Sequence, residues 1–178
     1  MIRRLALLAA AAALPAAAAA QTLDRCVPQE QAAALVTFAL PTLVEQLGKR
    51  CGPELPPSAY LPRYARDLAD RYRPDAVAAW PVARRAIADL FQRFLGQPMP
   101  PDMNSDMVRL LAEPAIAGLL ASRVKTSDCA VASRAVANLG AVSGRELGNL
   151  VALGAAIADR KGEGVAGVLR VCRPDGAR

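Results

Sequence analysis

The side chains of this sequence with the most distinctive chemistry are its four cysteines, Cys26, Cys51, Cys129 and Cys172. Their even number suits two disulfides in a chain that leaves the reducing cytosol. A reactive thiolate has one natural place, Cys129, which follows Asp128 at a predicted helix start, where the helix dipole favours a charged sulfur. In an exported chain with an even cysteine set, pairing is the expectation. Carboxylates are the other chemical resource. Glu45, near Pro41, and Asp67 or Asp70 are the candidates for the paired-acid work seen in glycoside hydrolysis, although their spacing is that of ordinary helix-surface acids.

The sequence contains no histidine. That removes Ser-His-Asp and Cys-His catalysis and any zinc or haem held by imidazole, because those roles need a group titrating near neutrality or its ring nitrogens. No P-loop, Gly-rich dinucleotide fingerprint or Cys-x-x-Cys is present either. No cofactor and no metal site are expected.

A third cluster suggests binding rather than catalysis. Six of the seven aromatic residues lie between Tyr60 and Phe94, interleaved with Arg63, Arg66, Arg71, Arg73, Arg84, Arg85 and Arg93. Aromatic faces beside guanidinium groups can stack on sugars or hold acidic groups. Tyr60, Arg63, Trp80 and Arg84 are the candidate binding residues. A plainer account competes: Arg63 with Asp67, Arg66 with Asp70 and Asp67 with Arg71 are each four apart and can pair along one helix face. On that account Tyr64 and Tyr72 join Phe91 and Phe94 in a core.

The N-terminus decides the compartment. Arg3 and Arg4, the apolar run Leu5 to Leu14 and the small residues Ala18 to Ala20 read as a cleavable secretion signal over residues 1–20. The run is too short for a stable membrane span. Lipidation at Cys26 is disfavoured because Asp24 and Arg25 stand where small residues are needed. Without Arg3 and Arg4 the chain has 20 basic and 16 acidic residues, too mild an excess to imply nucleic-acid binding.

Periodicity positions these groups on helices. Val36, Leu40, Leu43 and Leu47 stay in phase across Pro41, so one kinked helix is expected from about 28 to 50. A second runs from about 58 or 61 to 72, with Pro74 as its block, and a third from 82 to 95, ending at Gly96. A fourth opens at Asn104 or Ser105 and kinks near Pro114; a fifth spans 129–139. Ser143 to Glu146 reads as a capping box for a sixth, with Leu147, Leu150, Val151 and Ile157 on its buried face. A row of small residues, Gly144, Gly148 and Ala152, would also let a neighbouring helix approach closely. Val165 to Cys172 has helical spacing, with a strand as the alternative.

A continuous first helix would hold positions 26 and 51 roughly 35 Å apart, against a Cα limit of about 7 Å for a disulfide. Cys51 with Cys129 and Cys26 with Cys172 is then the favoured pairing. The sequence as a whole points to an all-α single domain over 21–178, six to seven kinked helices with two disulfides. The implied role is periplasmic or secreted: a non-enzymatic binding or scaffolding component of the bacterial envelope, with an envelope protein or glycan as partner. The alternative is a small exported hydrolase acting on cell-wall or sugar polymers through carboxylates. Two mutants, Glu45→Gln and Asp67→Asn, separate the two classes.

Overall fold

The computed structural model describes residues 26–100, 103–159 and 170–172. Five α-helices occur among them: α1 (Gln29–Cys51), α2 (Tyr60–Leu95), α3 (Ser105–Ala121), α4 (Cys129–Leu139) and α5 (Gly144–Asp159). The described residues contain no strand, only one isolated parallel bridge between Val27 and Val171. The secretion signal expected over 1–20 lies outside the described residues, as does most of the element expected over 165–172.

The described residues are therefore all-α, with five helices among them where six to seven are expected for the chain. Two of the expected helices are one, α2, which runs unbroken through Pro74 and Pro81. Each interior proline removes a hydrogen bond and clashes with the carbonyl four residues back, a cost of about 3 kcal/mol. Here the two prolines are seven residues apart, exposed and on one face, and the residues whose carbonyls they leave, Asp70 and Val77, are exposed as well. Water can satisfy those oxygens. On the opposite face Leu61, Leu68, Tyr72, Ala76, Ala83 and Ala86 stay in helical phase and buried, so packing carries the helix past both breaks.

α1 lies at the centre and packs against α2, α3 and α5. Pro41, buried in its middle, does not interrupt it. Phe38 is completely buried and, with Ala34 and Leu35, meets Ala83 and Ala86 of α2 and the partly buried Ala112 and Ile116 of α3. Leu40 and Val44 meet Leu68 and Tyr72. At the far end Leu47 and Cys51 pack with Leu61, Ala121 and Cys129.

The helix ends are held by local caps and by side chains reaching across the fold. Asn104 accepts a hydrogen bond from the Met107 amide at 2.8 Å, which opens α3 as expected. Ser143 and Glu146 form the expected capping box: the Ser143 amide donates to Glu146 Oε2 at 3.1 Å, and the Glu146 amide donates to Ser143 Oγ at 3.3 Å. Other caps are tertiary. Asp75, in mid-α2, accepts from the Gly144 amide at 2.7 Å; Arg71 donates to the Gly140 carbonyl at 2.6 Å; the Leu61 amide donates to Ser133 Oγ at 3.2 Å. One stretch of α2 thus grips the turn between α4 and α5.

In α5 only Leu147 meets the expected arrangement, partly buried against Leu40, Val44, Leu68 and Tyr72. Leu150, Val151 and Ile157 are exposed, together with Leu153, while Gly148, Ala152, Ala155 and Ala156 are buried. A Cβ on Gly148 would collide with Thr37 Oγ1 and sit 2.6 Å from the Ala33 carbonyl oxygen, both on α1. The small-residue row is the packing face because only such residues let the two backbones come this close.

Two disulfides close the chain. Cys51 pairs with Cys129 and Cys26 with Cys172, with Cα separations of 5.3 and 4.8 Å. The unbroken α1 leaves no room for Cys26 to reach Cys51. The Cys26–Cys172 bond is flanked by the bridge, in which the Val27 amide donates to the Arg170 carbonyl at 2.7 Å and the Cys172 amide donates to the Val27 carbonyl at 2.8 Å. Their sequence separations of 146 and 78 residues are long, and loops of that size remove on the order of 4 kcal/mol of denatured-state entropy per crosslink.

Candidate functional site

The four candidate binding residues do not form one site. Tyr60 and Arg63 lie in the first turn of α2, whereas Trp80 and Arg84 lie roughly 25 Å or more along its axis. Trp80 is built into the packing: its ring centroid lies 4.9 Å from that of Phe38, and its Nε1–H donates to Ser105 Oγ at 3.0 Å. It thereby ties α1, α2 and α3 together. Arg84 is exposed on the outer face of α2.

Around Arg63 the picture is different. The second half of α1 and the first half of α2 form the walls of an open groove of about 670 Å³, lined by Glu45, Lys49, Arg63, Arg66, Asp67, Asp70 and Arg73 over Gly48, Leu61 and Ala65. The floor has a sequence reason. A Cβ on Gly48 would lie 2.7 Å from Ala65 Cβ, so the helices touch through small residues and long charged side chains stand along both rims. Lys49 follows Glu45 by one helical turn, which places both on the rim facing α2.

The i,i+4 ion pairs expected along α2 are not the ones formed. Arg73 donates to Asp70 Oδ1 at 3.1 Å and across the groove to Glu45 Oε1 at 3.4 Å, and Arg71 is turned to the Gly140 carbonyl. Lys49 and Arg66 have no ion pair or hydrogen bond among the described residues. Arg63 lies over the Tyr64 ring at 5.2 Å from its centroid, and Tyr64 stands 5.1 Å from Tyr60. The result is a polarised groove: three cations, Lys49, Arg63 and Arg66, accompany one unpaired acid, Asp67, while the other two acids share Arg73.

The three carboxylates singled out from the sequence, Glu45, Asp67 and Asp70, do meet here. Their setting is poor for acid–base chemistry, which needs a carboxyl desolvated or poised against another charge. Asp70 is instead open to solvent and Glu45 partly so, and both contact the same guanidinium, that of Arg73. No group of three or more His, Cys, Asp or Glu among the described residues could hold a metal ion. Both cysteine pairs are oxidised, which leaves Cys129 no thiolate to offer.

Two further surfaces stand out. A cleft of about 300 Å³ lies between α1, α2 and the start of α5, with Ala33, Ala34, Ala79 and Val82 as its floor and Glu30, Asp75, Arg145 and Asn149 at its edge. The outer face of α3 carries a row every four residues, Met107, Leu111, Ala115 and Leu119, with Leu110 beside it at 75% exposure. No helix among the described residues is long and apolar enough to cross a membrane. Compared with protein-family models, curated proteins and solved structures, the chain matches none.

Sequence reasoning reached Arg63 and the three acids but not Lys49, Arg66 or Arg73 as members of the site. The missing signal was the pairing of the two helices. Nothing in the spacing of α2 says that Arg73 reaches Glu45 of α1 as well as Asp70 of its own helix.

Proposed function

We propose that this chain is an exported, non-enzymatic binding or scaffolding protein of the bacterial envelope, and that the α1–α2 groove is where it contacts its partner. The observation that carries the reading is the groove itself: a trough between two long helices in which Lys49 and Arg66 make no ion pair or hydrogen bond among the described residues. These cations are exposed and solvated, so they cost the fold little; their convergence from two helices gives an anionic partner a surface of opposite charge. The signal-like N-terminus and two disulfides support export. The absence of histidine, with Glu45 and Asp70 both held by Arg73, favours binding over catalysis.

The test is native mass spectrometry of the protein isolated from the periplasm of its host, comparing wild type with an Arg63→Glu/Arg66→Glu variant. A discrete added mass or co-purifying component in the wild type that the variant lacks is the expected outcome. Release of fragments from cell-wall or sugar polymers, abolished by Glu45→Gln or Asp67→Asn without loss of folding, would overturn it in favour of the hydrolase.

A further inference from the structure

We infer that the outer face of α3 is a self-association surface, where two copies of this chain pair through antiparallel α3 helices across a two-fold axis. The inward residues of α3, Val108, Ala117 and Ala121, are buried in the bundle. From Met107 to Leu119 every exposed residue of the helix is apolar, and Leu110 and Leu111 keep 75% and 60% of their surface in water. The one acid within that stretch, Glu113, is partly buried and accepts a hydrogen bond from Thr42 of α1. Four large side chains keeping 40–75% of their surface make a patch on the scale of the largest on typical monomers, about 300–600 Å². Two such faces together approach the area of about 1,000 Å² at which specific interfaces begin, which suits a reversible dimer.

Shape and charge both name a second copy as the occupant. The row from Met107 to Leu119 runs beside another at the same four-residue spacing, Leu110, Pro114, Gly118 and Ser122. A two-fold axis between Pro114 and Ala115 lays the first row of one copy, reversed, along the second row of its partner. Leu111 then meets the partner's Gly118, Met107 the partner's Ser122 and Leu119 the partner's Leu110. Gly118 and Ser122 border an open depression of about 460 Å³ between α3 and the end of α1, and a Cβ on Gly118 would find only Gln46 Oε1, at 3.6 Å. Large residues of one helix thus face the space that small residues leave on the other. Asp106 is exposed, with no ion pair or hydrogen bond among the described residues, and the antiparallel arrangement carries it to the end of the partner's α3, where Lys49 and Arg50 edge the depression. An anionic bilayer would meet Asp106 at the start of the stripe and has nothing to place in the depression.

Sedimentation equilibrium of the oxidised full-length mature protein across micromolar concentrations tests this. The wild type is expected to pass from one chain to two as concentration rises. Leu111→Glu, at an exposed position, should raise the dimer dissociation constant about tenfold or more. Leu150→Glu, on the apolar outer face of α5, is the control and should leave it unchanged. Ala115→Cys puts a new thiol beside the two-fold axis, so mild oxidation should link two chains through position 115, read by peptide mapping of the non-reduced dimer; this arm stands even if Leu111→Glu misfolds. A monomer at every concentration, a larger loss in Leu150→Glu than in Leu111→Glu, or no link in Ala115→Cys overturns the inference. So does a monomer that binds phosphatidylglycerol vesicles and loses them in Leu111→Glu, which assigns the stripe to lipid. Arg63→Glu/Arg66→Glu should self-associate as the wild type does, because this surface is separate from the groove and stands or falls without it.

Discussion

α2 and α5 both pack on α1, and they do so by opposite means. α2 turns its large side chains inward: Leu61, Leu68 and Tyr72 are almost wholly buried, and its outer face is Arg, Asp and Pro. α5 turns its large side chains outward, Leu147 excepted, with Leu150 at 55% exposure, and meets α1 through Gly148, Ala152, Ala155 and Ala156. The difference shows that hydrophobic periodicity reports a buried face only when the partner helix stands at ordinary distance. Where two backbones close in, a large residue has no space, and the row of small residues becomes the interface.

The strongest challenge to that contrast is a single methyl group. Gly148→Ala should gain about 1 kcal/mol of helix propensity, yet its Cβ would meet Thr37 Oγ1 and the Ala33 carbonyl of α1. Backbone cannot yield as a side chain can, and overpacking of this kind costs about 1–3 kcal/mol or more. The net expectation is a loss of about 2 kcal/mol in urea unfolding, whereas Leu150→Ser on the outer face stays within about 0.5 kcal/mol. Were Leu150→Ser the more damaging change, α5 would have to be packed by its large residues and the contrast would collapse.

Much of the architecture was legible in the residues. The continuous α1, the ends of α4, the caps at Asn104 and Ser143 and the two disulfides all follow from local patterns or chain geometry. α2 reads as two helices in the sequence because Pro74 looks like a block and the next helix opens only after Pro81, although the apolar phase from Leu61 to Ala86 runs through both prolines, as it does through Pro41. The same test of phase would have joined the two halves. The tertiary caps had no local signature: Asp75 serves a helix start 69 residues away. The candidate site was half legible for the same reason, since a groove is a property of two helices, and no pattern within α2 reveals what α1 places opposite it.

A second way to sharpen the comparison is chemical, and its effect is smaller. Tyr72, on the large-residue face of α2, is buried, and that burial raises the proton affinity of its hydroxyl above the ordinary tyrosine value, with Arg71 partly offsetting it. A raised folded-state value means the contribution is complete below the unfolded value, about 10, and is lost as pH climbs through and beyond it. Tyr72→Phe removes a long hydrogen bond to the Leu139 carbonyl, 3.4 Å, and should cost about 1 kcal/mol or less at pH 7. Between pH 10 and 11 the wild-type Tm is expected to fall faster than that of the variant, closing the gap between them. Parallel curves would mean that Tyr72 ionises as freely in the fold as outside it.

The smallest expected effect lies at the start of α5, where the interface depends on where the helix begins. Glu146 is fully open to solvent, and the Ser143 hydroxyl, then the Ser143 amide, hold its carboxyl below the ordinary glutamate value. A lowered folded-state value works in the opposite direction from Tyr72: the contribution is present above the unfolded value and disappears as pH falls through the folded one. Glu146→Gln keeps an acceptor in the box but not the charge near the helix start. The wild type should therefore be slightly more stable than the variant at pH 7, and the two should converge below about pH 4. Calorimetric Tm values across that range decide it. A difference that persists at pH 3 would assign the role of Glu146 to its shape in the box rather than to its charge, and would leave the Gly144 amide's bond to Asp75 as the main electrostatic anchor of α5 to α2.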